Sequence, residues 1–381
     1  MVFSIYTYSY TIMQIPVGSL LDRYGVAWVT KIGMIIWSLL TISMAFLQGK
    51  LLLYLVRFLI GITSASAFPA ASKATSLWFP PNERGLPNSL FDSAAKFSNV
   101  LGAPLVAVLI THFDWRTAFL AIGIINVLFT IFFWWYYEKP DKHRRISEGE
   151  LNYIKENNVV ANEEQTNKLL YTLKVLFANR KVWGLMIGFT GYGYTFNLLL
   201  TWLPTFFKEE YGMDIMSSGL LTAVPWLIAT LSGIVAGGWL VSHLIKKGYN
   251  AQKVYRTVIV IGLGLGLVFL GAIMTDSVVI AMVCISIGLA GISATAPIGW
   301  SISAEIAPSG SISLLSSVVN LANNLFGGII ATALTGYLFD KSGSFTSSFL
   351  VAGGVLLLGL FFYIYVLGDI NRITIAEQKS S

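Results

Sequence analysis

The chain has 381 residues, of which 55% are hydrophobic and 12% charged, with a mean hydropathy of +0.70. Soluble domains run near 25% charged residues, so this composition excludes a soluble globular protein, and its apolar content equally excludes disorder. The single cysteine, Cys284, excludes a disulfide scaffold, and the net charge of +6 matters less than where the charges sit.

Apolar runs of about 20 residues, enough to cross about 30 Å of hydrocarbon, recur along the chain. In order they are Val2–Leu21, Val29–Leu47, Leu51–Ala70, Asn88–Thr111, Ala118–Tyr137, Val182–Leu203, Ser217–Val241, Val258–Ile273, Val278–Ser303, Leu314–Tyr337 and Phe349–Leu367. An all-α polytopic membrane protein with eleven transmembrane helices is predicted; a β-barrel would show short alternating segments instead. The one long polar stretch, Glu138 to Lys181, reads as a linker. It divides a five-span bundle (1–137) from a six-span bundle with a short tail (182–381). Within it, Ser147-Glu148-Gly149-Glu150 matches a capping box and predicts a short surface helix.

Orientation follows from the basic residues. With the spans alternating across the bilayer, 19 of the 25 Lys and Arg fall on the side of the linker and only Lys50, Arg116, Lys208 and Lys341 on the other. The positive-inside rule then puts the linker and the C-terminus in the cytoplasm and residue 1 outside a plasma membrane. The basic linker facing an anionic leaflet accounts for the positive charge without nucleic acid.

The two halves carry related features. Pro69 and Pro80 recur as Pro297 and Pro308, a shift of 228 residues in both cases, and the same shift lays Asp92 on Asn320 and Lys96 on Asn324. Gly18–Leu20 before Asp22-Arg23 corresponds to Gly238–Leu240 before His243. A duplicated bundle is the architecture of secondary transporters, whose substrate site lies between the halves near the midplane. Chance similarity between small-residue helices is the alternative for any one match.

Specific motifs narrow the reading. Gly18-Ser19-Leu20-Leu21-Asp22-Arg23-Tyr24-Gly25 resembles the G-x-L-x-D-R-x-G loop signature of the major facilitator superfamily, and Arg57-Phe58-Leu59-Ile60-Gly61 its R-x-x-x-G signature. Trp78–Gly85, Asp114-Trp115-Arg116, Trp202-Leu203-Pro204 and Gly343-Ser344-Phe345 resemble the anion:cation symporter branch, which takes up small organic anions such as sugar acids. The resemblance implies a two-bundle transporter fold of twelve spans, the first of which is missing here. It also implies proton-coupled symport by alternating access. The chain departs from the pattern at Ser64, where the family usually has a Glu thought to carry the coupling proton. It departs again at Ser242, where an Asp is usual, and at Thr332, where a Pro is expected. These bear on proton coupling, inner-gate energetics and helix bending respectively.

Candidate residues follow from cost. Arg57 lies about seven residues into its span, where a cation must be paired or face water; it is a carboxylate anchor or a structural Arg. Asp92 and Lys96, at i and i+4, share a face. Lys96 can neutralise an anion while Asp92 takes up a proton in place of the missing Glu, or the two form a self-satisfied pair. Asn320 and Asn324 contact substrate hydroxyls or bind helices together. By resemblance, Tyr10, Gln14, Tyr194, Asn197 and Trp300 line the cavity, the aromatic ones being otherwise structural or interfacial anchors. Asp22, Arg23 and Arg84 read as gates, since a carboxylate at a helix end can pair with Arg across the cytoplasmic mouth in one state and release it in another. His112, His143 and His243 are scattered, so no metal is expected; no cofactor, nucleotide loop or catalytic triad is expected, and the protein is not expected to be an enzyme. The expected partners are a small organic anion, a proton and the lipid bilayer, with a monomer as the working unit. A sensor or remnant that binds without translocating, and an antiporter of organophosphates, are the other readings.

Overall fold

The computed structural model describes residues 2–158 and 169–374, and among these the regular structure is entirely helical. The first half comprises α1 (Val2–Tyr24), α2 (Val26–Ser43), α3 (Lys50–Ser64), α4 (Ala67–Trp78), α5 (Gly85–His112) and α6 (Trp115–Tyr136). Two short helices follow, α7 (Glu148–Asn157) and α8 (Leu169–Ala178). The second half comprises α9 (Arg180–Tyr211), α10 (Ile215–Ser232), α11 (Val241–Lys246), α12 (Ala251–Gly266), α13 (Val278–Ile306), α14 (Ile312–Ala322), α15 (Ala331–Ser342) and α16 (Thr346–Phe361). Wider π turns at Gly233–Leu240 and Asn323–Ile330 join α10 to α11 and α14 to α15. Among the described residues, eight helical stretches are long and apolar enough to cross a bilayer. Helices α1, α5 and α9, of 23, 28 and 32 residues, have the length but carry more polar side chains.

The motif residues set the helix boundaries. Gly25, at φ +86°, turns the chain from α1 into α2 in one residue, and Gly343, at φ +69°, ends α15; both are conformations in which a Cβ is strained. Asp114 caps α6, its carboxylate accepting from Thr117 N at 2.7 Å. The same hydrogen bonds hold the exposed Asp114 carboxyl below the usual carboxylate range. Ser147 caps α7, accepting from Glu150 N at 3.2 Å. Trp202 donates its indole N–H to the Thr332 carbonyl at 3.3 Å, at the position where a Pro was expected.

One run differs from its expected extent. The span expected over Leu51–Ala70 breaks at Ala65-Ser66 and resumes as α4 to Trp78, so Lys73, expected in a loop, lies inside a helix. A hydropathy reading ends where charge begins. The helix continues because Lys73 reaches Asp22 on α1 at 2.7 Å and the two charges cancel.

Small residues let the helices approach closely. Gly61 on α3 lies against Ser9 and the backbone of Tyr6 on α1, and Gly18 on α1 against Ser317 on α14. Gly85 and Ser89 on α5 meet Gly238.

On the face bearing the linker, polar contacts join the halves. Asp22 accepts from Ser313 N at 3.1 Å and Leu314 N at 2.7 Å, so it occupies the N-terminus of α14, where free N–H groups and the helix dipole favour an anion. Ser242 does the reverse, its hydroxyl accepting from Leu86 N at 3.1 Å at the N-terminus of α5. Asp22 and Ser242 thus stand in related positions, each capping a helix of the other half. Ser72 meets Ser316 at 3.1 Å, Asn88 donates to Ser301 at 2.8 Å, and Lys246 pairs with Glu83 at 3.2 Å.

Two outcomes are expected. Gly61→Val overpacks the α1–α3 crossing and costs about 1–3 kcal/mol, read as a lower Tm of the detergent-solubilised protein; an unchanged Tm would show that α1 yields freely there. Cysteines in place of Ser72 and Ser316, in a Cys284→Ser background, form an oxidant-induced disulfide that Asp22→Ala slows several-fold. Equal cross-linking with and without Asp22 would deny it the role of latch.

Candidate functional site: a buried polar cavity between the halves

A cavity of about 210 Å³ lies between α1, α4 and α5 on one side and α9, α13 and α14 on the other. Its charged lining residues are Asp92 and Lys96. They are one turn apart on α5, beginning seven residues and so about 10 Å from its linker end. Both are almost fully buried, and Lys96 Nζ donates to Asp92 Oδ2. Lys96 also points at the Ser293 carbonyl of α13 at 3.5 Å, and it lies over the Tyr192 and Phe196 rings of α9, 5.8 and 6.0 Å from their centroids. Asp92 in turn faces the indole N–H of Trp300 on α13 at 3.4 Å. The pair therefore bridges the halves.

The opposite wall is built from amides. Asn320 donates to the Tyr10 hydroxyl at 3.1 Å, Asn324 donates to Asn320 Oδ1 at 2.9 Å, and Asn197 to the Gly193 carbonyl at 2.8 Å. Asn323, in the π turn, also lines the space, and its Oδ1 is buried without a hydrogen-bond partner among the described residues. Aromatic rings close the cavity: Trp300 stacks on Phe68 with centroids 5.5 Å apart and meets Phe189 edge-on at 5.0 Å.

Seven of the residues singled out from sequence as substrate or proton sites therefore share this lining: Tyr10, Asp92, Lys96, Asn197, Trp300, Asn320 and Asn324. Gln14 and Tyr194 are buried but lie outside it. Arg57 also lies outside it, its guanidinium 5.6 Å from the Phe119 ring centroid. Tyr6, which interacts with Arg57 and Ser64, stacks on Tyr10 of the lining at 5.9 Å. The expected carboxylate anchor thus lies outside the cavity lining in this conformation.

Of the gate residues, Asp22 spans the seam, but its cationic partner is Lys73 of its own half rather than an Arg across the mouth. Arg23 is exposed, lying over Tyr24. Arg84 is buried at the seam, donating to the carbonyls of Phe79 and Ser76 at 3.1 and 3.3 Å and to Asn158 Oδ1 at 3.0 Å, with Glu305 of the other half close by. Burial lowers its pKa, and the nearby Glu305 carboxyl offsets part of that. Sequence reasoning missed Lys73, Phe68 and Phe189. The first looked like a loop charge and the two Phe like any of the chain's 24. Among the described residues no group of three His, Cys, Asp or Glu is placed to hold a metal ion.

Residues 1–332 match the Major Facilitator Superfamily. The chain is 75% identical over 372 residues to the transporter YybO of Bacillus subtilis (strain 168), an alignment covering 98% of this chain and 86% of that protein. It is 28% identical over 394 residues to the probable galactarate/D-glucarate transporter GarP of Escherichia coli (strain K12), covering 99% and 87%. Its fold resembles that of the E. coli fucose:proton symporter FucP, with a TM-score of 0.69 at 15% identity, covering 95% and 89% of the two chains. The helical architecture and a family match over most of its length identify this chain as a member of the Major Facilitator Superfamily, an integral membrane transporter.

Proposed function

We propose that this chain is a secondary active transporter of a small organic anion of the sugar-acid type, coupled to protons and working by alternating access. The observation that carries the reading is the buried Asp92–Lys96 pair facing a wall of amides in a cavity between the halves. A buried pair is tolerated because its charges cancel, and a ligand that perturbs one charge perturbs the other. Lys96 supplies the cation for a carboxylate, Asp92 the base for a proton, and Asn197, Asn320 and Asn324 the partners for hydroxyls. Trp300 and Tyr10 give the apolar faces against which a sugar carbon chain packs. Gln14 supports Tyr10 from the next turn of α1. Arg57 acts through Tyr6 and Tyr10 in this conformation.

The relatives' names favour sugar acids as a class without fixing the number of carboxylates: GarP is named for galactarate and D-glucarate, both dicarboxylates, and the structural neighbour FucP for proton symport. We read eleven membrane crossings, adding α1, α5 and α9 to the eight apolar helices, with residues 138–181 as the linker between a five-span and a six-span bundle. The 19-to-4 distribution of basic residues supports a cytoplasmic linker and C-terminus. On that topology the latched seam of Asp22 and Ser242 closes the cytoplasmic side, and its release opens the other state. Arg84 holds the α4–α5 turn that carries part of the seam. An organophosphate antiporter needs more positive charge; Lys96 is the single cation among the described lining residues.

Purified protein in proteoliposomes is expected to accumulate labelled sugar acid under an inward proton gradient. Loss of a charge-assisted contact, about 1.5–3 kcal/mol, gives Lys96→Ala a roughly ten- to hundredfold weaker uptake. Asp92→Asn is expected to abolish gradient-driven accumulation while counterflow exchange survives. Intact accumulation in Asp92→Asn would remove the proton role from that residue, and ligand binding without flux in the native protein would favour the sensor reading.

A further inference from the structure

We infer that the cavity binds a sugar-acid monoanion together with one proton and rejects dianions, because substrate gains Lys96 only by displacing Asp92. The inference rests on the transport reading for its substrate class, but its charge rule follows from the lining. Lys96 has no idle direction: Asp92 takes one N–H, the Ser293 carbonyl lies at 3.5 Å, and the Tyr192 and Phe196 rings cover another side. At 1% exposure it is almost fully enclosed by these groups. An entering carboxylate therefore replaces the Asp92 carboxylate.

The displaced Asp92 keeps only the long contact from the Trp300 indole, and an uncompensated carboxylate in so dry a place is costly. It takes up one proton and becomes a neutral acid. No other bond changes. Before binding, the site holds one negative and one positive side chain; afterwards it holds Lys96, one substrate carboxylate and a neutral Asp92. The sum is zero in both states. A dianion leaves one negative charge unbalanced, and the far wall offers Asn197, Asn320, Asn323 and Asn324, which are neutral. Those amides suit hydroxyls, and the buried Asn323 Oδ1 is an acceptor without a donor among the described residues. Around Asp92, α5 contributes Lys96, α9 the Tyr192 phenol, α13 the Trp300 indole, and α10 and its π turn the uncharged Thr230 and Gly233. Lys96 is thus the only full charge among the described groups there.

The test is calorimetry of the purified full chain with D-galactonate, a monocarboxylate, and galactarate, its dicarboxylate counterpart, in two buffers of different ionisation heat. The expected result is one proton taken up per galactonate bound, galactarate at least tenfold weaker, and galactonate binding without proton uptake in Asp92→Asn. Asn324→Lys, which adds a cation to the far wall, is expected to narrow the gap between the two ligands. In proteoliposomes, galactonate uptake follows a pH gradient and is unchanged by a potassium-diffusion potential, since an anion and a proton move together. Galactarate binding within threefold of galactonate, galactonate binding without proton uptake, or uptake driven by potential alone would each overturn the charge rule while leaving transport intact. Proton-linked galactonate binding without flux would instead overturn the transport reading and leave the rule standing. Binding of neither acid removes both.

Discussion

A charge buried in a membrane-embedded bundle must be cancelled where it stands, and the Asp92–Lys96 pair meets that constraint within one helix turn. Neither residue is stable there alone: a lone carboxylate or ammonium in a dry site is penalised by several kcal/mol. The pair is not sealed off, however. Its remaining contacts go to Ser293 and Trp300 of α13 and to the rings of α9, all in the other half of the chain. The electrostatic balance of the site and the mechanical junction between the halves therefore depend on the same few atoms, and a change in one is felt by the other.

The linker-side seam solves a related problem differently. Helices α5 and α14 both begin at this junction, and each start presents N–H groups without intrahelical partners. Asp22 satisfies those of α14 and Ser242 those of α5. The two caps are not equal. Asp22 brings a full charge, which is why Lys73 is needed inside α4, whereas Ser242 brings a hydroxyl that needs no counterion. A Ser where an Asp is usual leaves a neutral, weaker cap on one side of the seam and a charge-assisted one on the other. Opening the seam exposes two helix ends of different polarity, and the α14 side, with its carboxylate and ammonium, carries the larger change in electrostatic energy.

Much of this was legible from sequence because membrane burial leaves plain traces. Long apolar runs announce helices, and the few polar residues that interrupt them stand out. Asp92, Lys96, Asn320 and Asn324 were visible for that reason and Asn197 through the family resemblance, and all five line one cavity. The 228-residue shift had already laid Asp92 on Asn320 and Lys96 on Asn324. What sequence could not supply was direction. Arg57 has the depth expected of an anchor, yet its guanidinium lies over Phe119, outside the cavity lining. Depth along a helix is counted in residues, whereas the face presented depends on how α3 packs on α1, a crossing at which Gly61 meets Ser9 and Tyr6 closely. Lys73 was hidden for the opposite reason: its partner Asp22 is 51 residues away, and without that contact a lysine ends a span.

The internal repeat gives this asymmetry a physical meaning. Two related helices, α5 and α14, present the same two positions to one cavity; one carries Asp and Lys, the other two Asn. Had both carried charged pairs, the cavity would hold four desolvated charges with a separate cost for each pair. Had both carried amides, the cavity would hold no full charge. With one charged and one neutral wall, full charge is confined to the half that holds Asp92 and Lys96, and hydrogen bonding without charge to the half that holds Asn320. On the transport reading proposed above, a ligand that touches both walls brings a charge to one and hydroxyls to the other, and the polarity of the two walls sets its orientation between them.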